Sequence, residues 1–141
     1  MYDHLLVPVD LGNADASEKA LRSASQIARD YDATLHIMTV VPTLDSFAST
    51  FFPEGHSSAM YASAQEALHA YTDAAELVGI AVQHVVAQGA IYDQILSIAE
   101  KVDADLIVMA SHRPELSDYL LGPNAAKVVR HARCSVMVVR D

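Results

Sequence analysis

The sequence predicts a single α/β domain in which helices cover both faces of a mostly parallel β-sheet. The chain has 141 residues, the length of one ordinary domain, and its 52% hydrophobic and 19% charged residues support a packed core. Short apolar runs alternate with segments whose apolar residues recur at helical spacing. Strands that alternate with helices imply right-handed crossovers, and therefore a parallel sheet between two layers of helices. We expect this three-layer α/β/α sandwich to span residues 1–141.

The first strand and the first helix are predicted near the amino terminus. Residues 5–9 form a continuous apolar run that ends at Asp10, as expected of a strand buried on both faces. Pro8 counts against a central strand, but it lies near the end of the run, where ladder pairing finishes. Asp15 and Glu18 have the spacing of a capping box. The helix is then predicted from one apolar stripe, formed by Ala20, Leu21, Ala24, Ile27 and Ala28.

The middle of the chain predicts two more strands and a long helix. Residues 35–41 are mostly apolar and predict the second strand. Residues 42–58 show no clear period and predict a long loop. Apolar residues at helical spacing predict a helix over 58–78, which Gly79 ends. The third strand is predicted at 80–86.

The last third of the chain predicts two further βα units. Gly89 precedes a helix, and a buried strand is predicted at 106–110. A polar loop over 111–119, a helix over 123–131 and a last strand at 135–139 complete the pattern. The buried stripe of the helix after Gly89 is predicted to be Ile91, Ile95, Ile98, Ala99 and Val102.

Charge is distributed unevenly along the chain, whose formal net charge is −9. Residues 1–112 hold 4 Lys or Arg and 15 Asp or Glu, whereas residues 113–141 hold 5 and 3. An acidic chain disfavours a broad basic face, so nucleic acid and anionic membranes are not expected partners. A site for a small anion is expected in or near the positive tail.

Cysteine usage and hydropathy bear on the compartment. The single cysteine, Cys134, excludes an internal disulfide, is compatible with a reducing compartment and is expected to be a small buried residue. The amino terminus lacks the basic segment and apolar run of a signal peptide. No stretch approaches the roughly 18 apolar residues of a spanning helix. We therefore expect a cytoplasmic protein.

The candidate site lies at the carboxyl ends of the strands, where ligands bind to such sheets at a switch in strand order. The helix predicted at 123–131 presents unpaired backbone N–H groups and a partial positive charge at its start, which suits a phosphate. Gly122 permits close backbone approach, Asn124 offers an amide, and Arg113 can form paired hydrogen bonds to phosphate oxygens. A loop and a capped helix without a ligand are the alternative interpretation.

Three segments resemble the universal stress protein family, and the resemblance spans the whole chain. They are Val-Pro-Val-Asp at 7–10, Ala-Asp-Leu-Ile-Val-Met-Ala-Ser-His at 104–112, and the stretch 120–139, which begins Leu-Leu-Gly-Pro-Asn-Ala-Ala. The likeness is to the short F/G-type bacterial members. It implies a Rossmann-like, adenine nucleotide alpha hydrolase-like sheet of order 3-2-1-4-5 and bound ATP or AMP, with or without Mg. It also implies a homodimer paired through the last strand, at Val136, Met137, Val138 and Val139.

The chain departs from the glycine motif of the nucleotide-binding members, which is Gly-x2-Gly-x9-Gly followed by Ser or Thr. Ala110 and Arg113 stand at the first two glycines, only eight residues separate Arg113 from Gly122, and Pro123 replaces the hydroxyl residue. Pro123 removes two donors, although proline is favoured at the first position of a helix. Arg113 adds a charged donor, and Asn124 keeps an N–H and an amide. We therefore expect AMP or ADP to be affected less than the γ-phosphate of ATP.

Individual site residues also follow from the resemblance. Asp10 matches the acidic residue that lies near the adenosine or a bound metal, and an Asx cap over the turn at 12–13 is its alternative role. Val40 matches the position whose backbone contacts adenine. The nucleotide-binding residues expected on these grounds are Pro8, Val9, Asp10, Val40, Ala110, Ser111, His112, Arg113, Gly122, Pro123, Asn124 and Ala125.

The residues favour binding over catalysis. Ser111 and His112 point in different directions on an extended chain, and no third group completes a triad. The seven histidines lack metal-ligand spacing, and Lys127 and Arg130 suit the end of a helix better than a ligand. We therefore predict a homodimeric nucleotide-binding sensor or regulator of the stress response. The alternatives are a nucleotide-independent dimeric interaction module and a slow ATPase, for which only Asp10 is a candidate.

Overall fold

A computed structural model of the protein describes residues 1–41, 56–75, 77–111 and 123–140. These residues form β1 (His4–Pro8), α1 (Ala14–Tyr31), β2 (Thr34–Val41), α2 (His56–Ala74), β3 (Ala81–Gln88), α3 (Ile91–Lys101), β4 (Leu106–Ala110), α4 (Pro123–His131) and β5 (Ser135–Val139). A 3₁₀ turn, Leu11–Asn13, joins β1 to α1. The predicted alternation is confirmed in these elements, and most of the loops predicted at 42–58 and 111–119 lies outside the described residues. None of the described helices is both long and apolar enough to cross a membrane.

The five strands form one parallel sheet in the order β3-β2-β1-β4-β5. β1 is central, because Leu5 pairs with Leu35 of β2 and with Leu106 of β4. The chain winds outward from β1 through β2 to β3, then returns to β4 beside β1 and winds outward to β5. The winding direction therefore reverses between β1 and β4, and the crevice at their carboxyl ends is the switch point where such sheets bind ligands. The sheet order implied by the family resemblance is confirmed.

Each face of the sheet has its own hydrophobic core. Neighbouring residues of a strand point to opposite faces, so Leu5 packs with α1 and α2 whereas Leu6 packs with α3 and α4. Both leucines are fully buried, which explains why β1 is a continuous apolar run. The buried residues that the helices contribute include Leu21, Leu68, Ile95 and Val128.

Pro8 is tolerated because it is the last residue of β1. In a parallel sheet successive residues bond to neighbours on opposite sides, and the Val9 N–H donates to the Met38 carbonyl of β2 at 2.8 Å. The missing N–H of Pro8 therefore faces β4, but the β1–β4 pairing covers only Leu5 and Leu6. Proline removes no ladder hydrogen bond here. The strand begins and ends one residue earlier than predicted.

Helix α1 does not begin with the predicted capping box. The Asp10 carboxylate accepts a hydrogen bond from the Gly12 N–H (Oδ1···N 3.0 Å) and caps the 3₁₀ turn. Asn13 precedes α1 and makes no side-chain capping bond. Asp15 already lies in the first turn of α1, where a negative charge interacts favourably with the helix dipole. The prediction for Asp15 and Glu18 is wrong because the chain becomes helical before it reaches them.

Two apolar residues that spacing assigns to buried helix stripes are exposed. α2 ends at Ala74, so Val78 lies beyond the helix and is 86% exposed. Ile91 is the first residue of α3 and is 48% exposed, whereas Ile95, one turn later on the same face, is fully buried. Gly79 adopts a φ of 83° before β3, a left-handed conformation that favours glycine. The helix ends are therefore where prediction and structure differ.

Candidate functional site

A cavity of about 270 Å³ opens at the carboxyl ends of β1 and β4, where the strand order reverses. A larger open groove of about 940 Å³ runs along α1 and the end of α2, away from the strand ends. Position at the switch point, rather than size, identifies the first cavity as the candidate site. Its described lining residues are Pro8, Val9, Asp10, Ser17, Thr39, Val40, Ile91, Ile95, Met109, Ala110, Ser111, Pro123, Asn124 and Ala125.

The structure brings together all the described residues that the sequence assigns to the nucleotide site. Nine of them line the cavity: Pro8, Val9, Asp10, Val40, Ala110, Ser111, Pro123, Asn124 and Ala125. The other three, His112, Arg113 and Gly122, lie outside the described residues. The nine come from the ends of β1, β2 and β4 and from the start of α4. They converge because parallel strands end at the same edge of the sheet.

Asp10 is fixed at the end of β1 by two hydrogen bonds. Its backbone N–H donates to Ser17 Oγ on α1 (3.1 Å), and its Oδ1 accepts from the Gly12 N–H (3.0 Å). A Cβ at Gly12 would lie 3.3 Å from Asp10 Oδ1, so glycine suits this close approach. The Asx-cap role expected for Asp10 is present and uses one carboxylate oxygen. The other oxygen, Oδ2, has no hydrogen bond to a described residue and is free to meet a ligand.

Sequence reasoning misses five of the described lining residues. Ser17 and Thr39 are buried hydroxyl residues, 3% and 5% exposed, in otherwise apolar positions. A hydroxyl at a core-facing position of a helix or strand is the signal that could have found them. The remaining three are apolar residues expected in any core, and the sequence gives no sign of their role: Ile91, Ile95 and Met109.

One side of the cavity is an apolar wall. Val40 at the end of β2, Ile95 of α3 and Met109 of β4 all belong to the core on the face of α3 and α4. Ile95 is fully buried and Met109 is 6% exposed. Aliphatic and thioether groups pack well against flat aromatic rings. This wall can therefore accept a heteroaromatic base.

The amino terminus of α4 also lines the cavity. Pro123 is the first residue of the helix and has no N–H, and Asn124 and Ala125 follow it in the first turn. Backbone N–H groups in the first turn lack helical partners and carry partial positive charge. Ser111, at the end of β4, is held by its N–H, which donates to the Val139 carbonyl at 2.9 Å. This part of the cavity suits a small anion such as a phosphate group.

Positive side chains contribute little to the described part of the cavity, since none of its described lining residues is Lys or Arg. Lys127 of α4 lies over the ring of Tyr92 of α3, with Nζ 4.3 Å from the ring centroid. Arg133 pairs with Glu100 at 3.6 Å. Lys127 thus joins α3 to the middle of α4, a structural role, and Arg133 joins α3 to the segment after α4. The cation that the sequence assigns to the site, Arg113, lies outside the described residues.

The described groups with clearly perturbed pKa values lie away from the cavity. Burial lowers the pKa of His36 and of His84 below the ordinary value of histidine. Cys134 is only partly buried, so the prediction of a fully buried cysteine is wrong, although desolvation still raises the pKa of its thiol. The described cavity wall has one ionisable side chain, Asp10, and no second acid or base beside it.

The described wall combines an apolar surface, one carboxylate and the start of a helix, and it offers few ligands to a metal ion on its own. The described residues contain no group of three or more His, Cys, Asp or Glu side chains that could hold a metal. Among the described lining residues, Asp10 alone offers a carboxylate oxygen. Mg²⁺ commonly binds through one or two carboxylates together with substrate phosphates. Asp10 Oδ2 could hold Mg²⁺ that arrives on a nucleotide.

Comparison with protein families and relatives agrees with this architecture. The model of the universal stress protein family matches residues 1–140. Universal stress protein G of Shigella flexneri is 32% identical to this chain over 146 residues, which cover 99% of this chain and 100% of that protein. The match therefore extends over the whole described fold.

Solved structures show the same Rossmann-like fold. The universal stress protein UspA from Lactobacillus plantarum is 25% identical with a TM-score of 0.77, over 99% of this chain and 98% of that chain. A universal stress protein in complex with cAMP is 27% identical with a TM-score of 0.63, over 99% of this chain and 97% of that chain. The sheet order, the family model and the relatives all indicate the same family. The chain belongs to the universal stress protein family.

Proposed function

We propose that this protein binds an adenine nucleotide at the switch point and acts as a cytoplasmic sensor or regulator of the stress response. The observation that carries the proposal is one cavity that combines an apolar wall, the Asp10 carboxylate and the amino terminus of α4. The family supports the stress-response role. A relative 27% identical to this chain is known in complex with cAMP, which supports a nucleotide as the ligand.

The proposed pose places each part of the nucleotide against matching chemistry. The base packs on the wall that includes Val40 and Met109. The ribose lies near Asp10, whose Oδ2 can accept hydrogen bonds from sugar hydroxyls. The phosphate lies at the backbone N–H groups of Asn124 and Ala125. The base and the phosphate thus lie against different parts of the cavity lining.

Pro123 bears on which nucleotide is preferred. It leaves the first position of α4 without an N–H or a hydroxyl, so fewer donors remain for a chain of phosphates. A single phosphate needs fewer donors than a triphosphate. We therefore propose that AMP and ADP bind with little loss from Pro123. ATP is proposed to bind mainly through its base, ribose and α-phosphate, which all three nucleotides share.

Arg113→Ala tests the proposed phosphate end. We expect AMP to bind about tenfold or more weakly, because a charge-assisted hydrogen bond contributes about 1.5–3 kcal/mol, and adenosine to bind as before. Arg130→Ala is the control, since Arg130 is an exposed residue in the last turn of α4. Titration calorimetry of both variants with both ligands gives the result. Equal losses of AMP and adenosine affinity in Arg113→Ala would show that Arg113 is structural.

We further propose a homodimer paired through β5. This strand is an edge of the sheet and pairs with β4 on one side. It contains no charged residue, and Met137 at its centre is 38% exposed. An uncharged, apolar edge strand is a ready template for another strand, and two-fold pairing with a second copy removes the edge.

A nucleotide-independent interaction module is the second candidate function. It is favoured by Ala110 and Pro123, which stand at the cavity where the family's nucleotide-binding motif has Gly and Ser or Thr. Capture of partner proteins with and without added AMP separates the two functions, because only a nucleotide sensor changes its partners with the ligand. A slow ATPase has less support, since the described wall offers Asp10 alone as an ionisable group.

A further inference from the structure

We propose that the nucleotide site continues into an apolar groove beside α2, and that this groove accepts an apolar substituent on N6 of the adenine base. The inference rests on the proposed nucleotide function and extends it from adenine nucleotides to N6-alkyl or N6-arylmethyl adenine nucleotides. The ligand class follows from the lining of the groove, its connection to the cavity and one buried hydroxyl.

The groove has a volume of about 600 Å³ and lies at the carboxyl edge of the sheet, on the face covered by α1 and α2. The 3₁₀ turn forms one side, the end of β2 forms the floor, and the first three turns of α2 form the other side. Its described lining residues are Asp10, Leu11, Gly12, Thr39, Val40, Val41, Ala59, Met60, Ser63, Ala64 and Ala67.

The groove and the nucleotide cavity share a wall. Asp10, Thr39 and Val40 line both of them. The start of α4, where the phosphate is proposed to lie, does not line the groove, whereas Val40 of the proposed base wall lines both the cavity and the groove. A substituent that extends from the base, rather than from the phosphate, is therefore directed into the groove.

The lining selects an apolar substituent. α2 contributes small residues at four-residue spacing to the groove, and these leave space beside the helix: Ala59, Ser63 and Ala67. Met60 adds a flexible, polarizable side chain that packs against rings and alkyl groups alike. Asp10, on the shared wall, is the one charged residue among the described lining residues. Alkyl and aryl groups are therefore accepted, whereas an anionic substituent finds no counter-charge among the described lining residues.

Thr39 supplies the polar contact at the junction. It is 5% exposed and lies on the same face of β2 as Ile37 and Val41. Its hydroxyl makes no hydrogen bond with any described residue. Thr39 lines both the cavity and the groove, so its hydroxyl oxygen can accept a hydrogen bond from a ligand there. The N6–H that remains on an N6-substituted adenine is a donor of the required kind.

Titration calorimetry with AMP and N6-benzyl-AMP tests the proposal. We expect wild-type protein to bind N6-benzyl-AMP at least about tenfold more tightly than AMP, because the benzyl group leaves water for an apolar groove. Ala67→Leu fills the groove and should abolish this preference while AMP affinity is kept. Ala70→Leu is the matched control, since Ala70 is exposed on α2 outside the groove lining and should keep the preference.

The outcomes separate this inference from the proposed function. Equal affinity for the two ligands in wild-type protein, or a preference that survives in Ala67→Leu, overturns the groove proposal and leaves AMP binding in place. Failure of both ligands to bind overturns the proposed function and the groove proposal together. Thr39→Val adds a second test: it should weaken N6-benzyl-AMP several-fold, and unchanged affinity would remove Thr39 from the site.

Discussion

Asp10 serves the fold and the candidate site at once. Its N–H donates to Ser17 Oγ and its Oδ1 accepts from the Gly12 N–H, whereas no described residue bonds to its Oδ2, which can meet a ligand at the cavity. Both hydrogen bonds belong to the short connection between β1 and α1. The direction of the carboxylate therefore depends on Ser17, which we regard as a positioning residue.

Ser17→Ala is expected to weaken both stability and nucleotide binding. Loss of the acceptor for the Asp10 N–H should lower the free energy of unfolding by about 1 kcal/mol and AMP affinity several-fold. Ser25→Ala is the control, because Ser25 is also buried on α1 and its hydroxyl donates to the Leu21 carbonyl, away from the cavity. Urea denaturation and calorimetry measure the two effects. Equal AMP affinity in the two variants would contradict a positioning role for Ser17.

His36 predicts how stability changes with pH. It lies on β2, is 7% exposed, and its Nε2 is 3.1 Å from His4 Nδ1. Burial lowers the pKa of folded His36 below its ordinary value of 6.5, and His4 lowers it further. The unfolded chain therefore binds this proton more readily than the folded chain. The stability that neutral His36 provides is fully present above about pH 6.5. It is lost as the pH falls from there through the lower pKa of the folded protein.

His36→Gln tests this pH dependence. We expect the unfolding free energy of the wild-type protein, measured by urea denaturation, to fall between about pH 7.5 and about pH 5.5. The variant should lose less over the same interval, and His84, whose pKa is lowered in the same direction, should account for part of the remaining loss. A loss as large in His36→Gln as in wild-type protein would exclude His36 as a source.

Secondary-structure elements differ in how well the sequence predicts them. Strands β1, β2 and β4 are buried between helices, and such strands are continuous apolar runs that are easy to find. Helix ends are harder, because spacing shows which residues share a face but not where a helix starts. The start of α1 is decided by the Asp10 cap and the 3₁₀ turn, which the spacing of Asp15 and Glu18 does not reveal.

Two isoleucines one turn apart on α3 show that residues on one helical stripe can differ in burial. Ile95 is fully buried and Ile91 is 48% exposed, although both fit one helical stripe. Ile95→Ala should lower the free energy of unfolding by about 2–5 kcal/mol, because it leaves a cavity in the core. Ile91→Ala should cost less than about 1 kcal/mol. Similar losses in urea denaturation would contradict the packing described for α3.

The arrangement of the whole molecule was only partly predictable. Alternation of strands and helices predicts a parallel sheet, but it does not say that β4 joins β1 on the side away from β2, and the family resemblance supplied that order. The location of the cavity at the strand ends and at α4 follows from the βα pattern, and the resemblance adds its individual residues. Ser17 and Thr39 follow from neither, because they lie at core-facing positions whose access to the cavity depends on packing.

The two edges of the sheet give a prediction about assembly. Met137→Lys places a charge at the centre of β5 and should convert the proposed dimer to a monomer in sedimentation velocity. Gln83→Lys is the control, since Gln83 is an exposed residue on β3, the opposite edge. Dissociation by Gln83→Lys, with Met137→Lys still dimeric, would assign the interface to β3 instead.

Equilibrium titration of nucleotide-stripped protein with AMP, ADP and ATP tests the central claim most directly. Ala110→Phe, which fills the cavity at the end of β4, is measured beside the wild-type protein, with circular dichroism to check that both are folded. We predict saturable binding of about one nucleotide per chain to the wild-type protein and a loss of that binding in Ala110→Phe. The absence of binding of all three nucleotides to folded wild-type protein at about millimolar concentration would contradict the claim.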